Sequence, residues 1–91
     1  MENSPRRALI IGKLKDILTE ELNIGVPRSE INPDASLASS LGVDSIGFLE
    51  LRYQCEEVFG FPVSDADFSP QHFSSCSTLA DFILAHEADA R

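Results

Sequence analysis

Positive charge is scarce beyond the first third of this 91-residue chain: from residue 29 onward, Arg52 and Arg91 stand against eleven Asp and Glu. The first 28 residues hold five Lys or Arg and four acids, so the balance runs from +1 there to −9 in the remainder, and −8 overall. Such a surface repels nucleic acid and anionic membranes and attracts basic partners. Long apolar runs are also missing, and none approaches the ~18 residues that a membrane-spanning helix needs. The opening MENSPRRALIIGKLKDILTE sets two arginines before an apolar stretch, but Lys13, Lys15 and Asp16 interrupt it and no small-residue cleavage site follows. A soluble, cytoplasmic protein is expected. Cysteine is limited to Cys55 and Cys76, in no ligand pattern, so no metal site is expected. Both are expected as thiols, Cys55 inert in the core and Cys76 in a loop where oxidation can reach it. Internal repeats and strand-like alternation are absent, which leaves an all-α chain with one modest core in one domain spanning residues 1–91.

Four helices are expected. Ser4-Pro5 supplies a cap and a first-turn proline, and Ile10, Ile11, Leu14, Ile17, Leu18 and Leu22 follow at helical spacing, giving a first helix over 5–22. The next stretch, NIGVPRSEINPDASLASSLGVD, reads as a long ordered loop pinned by Ile24, Val26, Ile31 and Leu37. A second helix over 45–59 is capped by Asp44 and ended by Gly60, with Pro62 barring continuation. Ser69-Pro70 opens a short third helix over 70–73, and Thr78-Leu-Ala-Asp81 a last one over 78–87. The expected architecture is a small four-helix bundle with a long first loop.

The second helix has two apolar faces. Leu51, Cys55, Val58, Phe48 and Phe59 form a core stripe, while Ile46, Leu49 and Tyr53 cluster between about 40° and 100° from Ser45 on the helical wheel, nearly opposite. Glu50, Glu56 and Glu57 border this second stripe. An exposed apolar stripe rimmed by one sign of charge has the anatomy of a docking surface. The other reading, cover by the long loop, suits Ile46 better than Tyr53.

Ser45 lies beside that stripe, and three roles compete for it. A hydrolase nucleophile needs an oriented histidine, and the chain has only His72 and His86, both late in the sequence. The elbow motif G-x-S-x-G is one residue out of register in Gly42-Val43-Asp44-Ser45-Ile46-Gly47, so no catalytic residue is assigned. A cap needs only one of Asp44 and Ser45. Covalent attachment suits a hydroxyl at a helix N-terminus, where free N–H groups and the positive end of the dipole favour a phosphodiester.

The stretch LGVDSI, followed by LELRYQCEEVFGF, resembles the acyl carrier proteins and related peptidyl carrier domains, whose attachment motif is Gly-x-Asp-Ser-Leu/Ile at the start of the second helix. The resemblance implies that Ser45 receives 4′-phosphopantetheine from coenzyme A through a phosphopantetheinyl transferase, with Asp44 helping to bind that enzyme. The arm would carry intermediates as thioesters, making the chain a substrate of other enzymes and no enzyme itself. Ile46, Leu49 and Tyr53 match the family's apolar partner contacts and Glu50, Glu56 and Glu57 its acidic ones. Implied partners are a loading enzyme and ketosynthase, acyltransferase or condensation-type enzymes with basic faces, and the carrier is expected to be a monomer.

Two departures stand beside the motif. Gly47, in the first turn, leaves the surface bare next to Ser45 for a partner or the arm. Arg52 brings a positive charge to a surface usually acidic or neutral in these carriers, and is expected to pair with Glu56 one turn on, with contact to the phosphate or to a selected partner as the alternative. LGVDSI lies between the acyl and peptidyl versions of the motif. Its acidity and the tail DADFSPQHFSSCSTLADFI resemble discrete carriers of polyketide or mixed polyketide–amino acid pathways. The alternatives are an aminoacyl or peptidyl carrier of nonribosomal peptide assembly, and an unmodified helical interaction module using the same stripe. Phe68 and Phe73 are expected to fill core near the third helix, a region that borders the acyl cavity in this family.

Overall fold

Of the helically spaced apolar residues of the first segment, Ile10, Leu14, Ile17 and Leu18 are buried, and Ile11 and Leu22 pack on the core half-buried. A computed structural model describes residues 5–89 and shows what they pack against. Helix α1 spans Pro5–Asp16, α2 Ser45–Phe59 and α3 Cys76–Asp89, and no strand occurs among the described residues. The α1 face meets Leu51 and Cys55 of α2 and Leu79, Ala80 and Ile83 of α3 in one core. Two ion pairs tie the solvent sides of α1 and α3 together, Arg6 with Glu87 and Arg7 with Asp81 at 2.9 Å. Ser4, expected as the cap of α1, lies outside the described residues.

The first helix does not run as one α-helix to Leu22. After Asp16 the chain widens into a π-helical turn, Ile17–Glu21, and the Leu22 amide donates to the Ile17 carbonyl at 3.1 Å. Thr19 accounts for part of this: its hydroxyl donates to the Lys15 carbonyl at 3.0 Å, and side-chain donation to a carbonyl one turn back disturbs the regular ladder. The wider turn keeps both Ile17 and Leu18 in the core.

Between Leu22 and Asp44 the chain has a 3₁₀ turn at Arg28–Glu30 and is held at several points. Arg28 bridges Asp16 at 2.6 Å and donates to the Gly12 carbonyl at 3.1 Å. Ile31 and Leu37 are buried, whereas Ile24 and Val26 pack on the core half-buried. Further along, the Leu37 amide donates to the Ser74 carbonyl at 2.8 Å and the Ser77 amide to the Pro33 carbonyl at 2.9 Å, stitching the connection to the approach of α3. Leu41 and Val43 then enter the core just before α2 begins.

The expected third helix over 70–73 is not formed. His72 and Phe73 amides both return to the Ser69 carbonyl, at 3.1 and 2.9 Å, which closes one turn and no more. A single turn is a costly nucleus without length to propagate, and the chain is claimed at once by the cap of α3. That cap is also not where Thr78–Asp81 suggested. Ser75 and Thr78 form a reciprocal box, Thr78 Oγ1 accepting from the Ser75 amide at 3.0 Å and Ser75 Oγ from the Thr78 amide at 3.2 Å. The last helix therefore begins at Cys76 and reaches Asp89, longer at both ends than the 78–87 expected. Cys76 is buried as its first residue, not exposed in a loop.

Candidate functional site

Helix α2 starts because Asp44 is extended and its carboxylate accepts from the Gly47 amide at 2.7 Å. The aspartate is thus the cap, and Ser45 is released to be the first helical residue with an exposed side chain. A helix leaves its first N–H groups without intrahelical acceptors. Asp44 takes that of Gly47, and those of Ser45 and Ile46 lie at the positive end of the dipole. At the other end Gly60 adopts φ 79°, and its amide donates to the Glu56 carbonyl, an ending that glycine makes without steric cost.

Gly47 is not a bare patch. A Cβ there would lie 3.0 Å from a Val43 methyl and 3.3 Å from the capping Asp44 oxygen. The glycine lets the buried Val43 and the cap close against the first turn of α2. Its position in the first turn is explained by packing inward rather than by access from outside.

Along the outer face of α2, Ile46 is 76% exposed, Leu49 58% and Tyr53 53%. The long connection does not cover them. Glu57 is exposed, and Glu50 is half-buried and accepts from Gln54 at 2.7 Å. On the core side Leu51 and Cys55 are fully buried and Phe48 and Phe59 half-buried. Val58, expected in the core stripe, is exposed instead and borders a shallow depression with Lys13, Asp16 and Glu20. The charged rim of that depression gives an apolar side chain nothing to pack into.

Arg52 and Glu56 do not pair with each other. Both turn to Val63: the Arg52 guanidinium donates to its carbonyl at 3.1 Å, and the Glu56 carboxylate accepts from its amide at 2.7 Å. Arg52 also meets Asp65 at 3.0 Å and lies over the Phe68 ring, 4.9 Å from its centroid. Sequence spacing found both residues but not this partner, which lies just past the end of the helix and carries no polar side chain to advertise it.

Beside the start of α2 lies an open groove of ≈ 600 Å³ lined by Ser45, Phe48, Leu49, Phe68, Pro70 and Phe73 among others, none of them charged. Phe73 is buried and Phe68 half-buried, their rings edge to face with centroids 5.0 Å apart. Neither histidine lines this groove. His72 stacks on Phe82 and His86 on Phe61, at 4.6 and 3.7 Å between centroids. The oriented base that a serine nucleophile requires is therefore not at hand among the described residues. No cluster of His, Cys, Asp and Glu suited to a metal ion occurs among them either, and no helix there is long and apolar enough to cross a membrane.

The comparisons with known proteins agree on one family. The model for the phosphopantetheine attachment site matches residues 12–84. Over 78 residues the chain is 35% identical to an acyl carrier protein of Cyanidioschyzon merolae, covering 86% of this chain and 81% of that one. An acyl carrier protein of Rubrobacter xylanophilus is 30% identical over 81 residues, with 89% and 95% covered. The chain belongs to the acyl carrier protein family. Its fold matches the solution NMR structure of a holo acyl carrier protein from Nitrosomonas europaea with a TM-score of 0.72, at 25% identity, over 87% of this chain and 95% of that one. An acyl carrier protein is a carrier and not an enzyme, and its cofactor is covalently bound 4′-phosphopantetheine. It works with the enzymes that modify it and handle its acyl groups. The start of α2 fits such a group: an exposed hydroxyl, helix N–H groups beside it, and an uncharged groove alongside.

Proposed function

We propose that Ser45 is the attachment serine and that the whole chain acts as a single, monomeric carrier domain. The observation that carries this reading is the division of labour at the start of α2, where Asp44 caps the helix and Ser45, exposed, is left with no structural duty. The phosphodiester would sit at the N-terminal end of the helix dipole, and the arm's thiol would hold each intermediate as a thioester. Asp44 contributes to recognition by the transferase as well as capping.

Partner enzymes dock on Ile46, Leu49 and Tyr53, with Glu50 and Glu57 attracting their basic faces. Arg52 and Glu56 stand at the edge of this surface, engaged with Val63. Support for an acyl cargo comes from the uncharged groove, which offers no carboxylate to an aminoacyl ammonium. The aromatic Tyr53 on the outer face of α2 supports service in a cytoplasmic polyketide or mixed polyketide–amino acid pathway, with ketosynthase, acyltransferase or condensation-type partners.

Intact-mass spectrometry after incubation with coenzyme A and a promiscuous phosphopantetheinyl transferase tests the attachment. One phosphopantetheine is expected on the native chain and none on Ser45→Ala. Modification of the alanine variant, or none of the native chain when a control carrier is converted, would overturn the assignment.

A further inference from the structure

Arg52 is 23% exposed at its side chain and is the only basic residue of α2, and it is engaged with a buried backbone carbonyl, an exposed carboxylate and an aromatic ring. Its guanidinium holds the Val63 carbonyl and Asp65 and lies over the face of Phe68. Phe68 in turn meets the buried Phe73, and both rings line the groove beside Ser45. The 61–69 stretch contains no helix to fix these side chains. Besides the burial of Phe61 and Val63 in the core, it is held to α2 by Arg52 on the carbonyl of Val63 and Glu56 on its amide, two side chains one helical turn apart gripping both polar groups of one buried residue.

A planar guanidinium is suited to this double task, because its fork bonds in the plane while its face stacks on a ring. Lysine has the charge and lacks the plane. From this geometry we infer that Arg52 is a positioning residue for the cargo groove: by stacking on Phe68 it sets the groove wall, and so determines how well a tethered acyl chain is sheltered. The inference rests on the attachment of the arm at Ser45 proposed above. The occupant is an uncharged acyl chain delivered by that arm, since Ser45 itself belongs to the groove lining and no charged side chain does. Arg52 touches the groove only through Phe68, and the phosphate plays no part in its role.

The test compares thioester lifetimes. Native protein, Arg52→Lys, Arg52→Ala and Phe68→Leu are each loaded to completion with octanoyl- or acetyl-phosphopantetheine from the corresponding coenzyme A thioester, and stoichiometry is read by intact mass. The half-life in hydroxylamine is then measured for both cargoes. Acetyl is too short to enter the groove and serves as the internal reference. The octanoyl-to-acetyl ratio is expected to be highest in the native protein and to fall about two- to fivefold in Arg52→Ala, the factor to which an exposed cation–π contact corresponds. Phe68→Leu should lower it similarly, Arg52→Lys should not restore it, and combining Arg52→Ala with Phe68→Leu should add little, because the arginine acts through the ring.

A merely structural arginine would change both cargoes together and leave the ratio alone, and that result overturns the proposal. So does a native ratio no greater than that of free octanoyl- and acetyl-pantetheine. Should Arg52→Ala fail to fold, Phe68→Leu and Arg52→Lys still decide the matter by the same ratio. Failure to load Ser45 at all would overturn the attachment reading as well, and the mass spectrum tells the two failures apart.

Discussion

Gly47 and the two cysteines carry the clearest consequences at the scale of single residues. Alanine at position 47 gains up to ~1 kcal/mol in helix propensity, but its methyl would press on Val43 and on the Asp44 cap. Overpacking of this kind costs about 1–3 kcal/mol, so Gly47→Ala is expected to destabilise by about 1 kcal/mol in urea unfolding rather than stabilise. Burial raises the Cys55 thiol from 9.0 to about 12 and the Cys76 thiol to about 11. A thiol that stays neutral when folded but ionises when unfolded contributes stability that is complete below the unfolded value, 9.0, and is lost as pH rises toward the folded one. The melting temperature should therefore decline between pH 9 and pH 11, and less steeply in Cys55→Ala. In the native apo chain at neutral pH neither thiol should react with a maleimide on the timescale that labels an exposed cysteine. A thiol that labels rapidly after loading is then the arm's own.

At the scale of elements, caps and clamps decide where structure begins and what non-helical chain does. Thr78 accepts from the Ser75 amide and donates to the His72 carbonyl at 3.0 Å, so it joins the turn at 69–73 to the start of α3. Thr78→Val keeps the shape and removes these bonds, and is expected to cost about 1–2 kcal/mol by the usual scale of cap replacement, read as a shift in urea midpoint at constant m. Glu56→Ala leaves the buried Val63 amide without its acceptor, a loss of about 1–3 kcal/mol. Hydrogen exchange at Val63 should accelerate more than exchange at Leu51 or Ile83, because the 61–69 stretch opens before the helical core. Equal acceleration everywhere would mean that the clamp belongs to global stability alone.

At the scale of the whole molecule, the three helices bury one face each and leave the outer face of α2 in water beside Ser45. Leu49 and Tyr53 are over half exposed, so replacing both by aspartate removes nothing from the core. Leu49→Asp with Tyr53→Asp is expected to melt within a few degrees of the native chain while losing acyl transfer with its partner enzymes, followed as transferred acyl group by mass spectrometry. Unfolding instead would mean that these side chains belong to the core. The net charge of −8 adds a second expectation. Association with a basic partner should slow as salt rises, chiefly in the on-rate, since rim charges steer encounter more than they hold the complex.

Much of this was readable before any coordinates. Helical spacing gave α1 and most of the buried residues of α1 and α2, because a face that must leave water repeats with the period of the helix, while the cap signal at Thr78–Asp81 pointed to α3 two residues late. Asp44 before Ser45, and Gly60 before Pro62, marked both ends of α2, since capping and helix termination act within a few residues. The double-faced wheel of α2 separated Ile46, Leu49 and Tyr53 from Leu51 and Cys55 for the same local reason. What needed the tertiary structure was which groups meet once the backbone turns, even between residues only a few positions apart. Arg52 and Glu56 are ideally spaced for each other, and spacing alone cannot tell that a valine brought back by the turn after Gly60 offers both of them a better, buried partner. Gly47 looked like a gap until Val43 was seen to fill it. Phe73 is core as expected, with Phe68 half-buried against it, yet the helix expected over them is not formed and the two rings also form part of the wall of a groove. Local periodicity determines which residues seek burial and where helices start; only the folded chain decides which polar groups meet and what space remains between them.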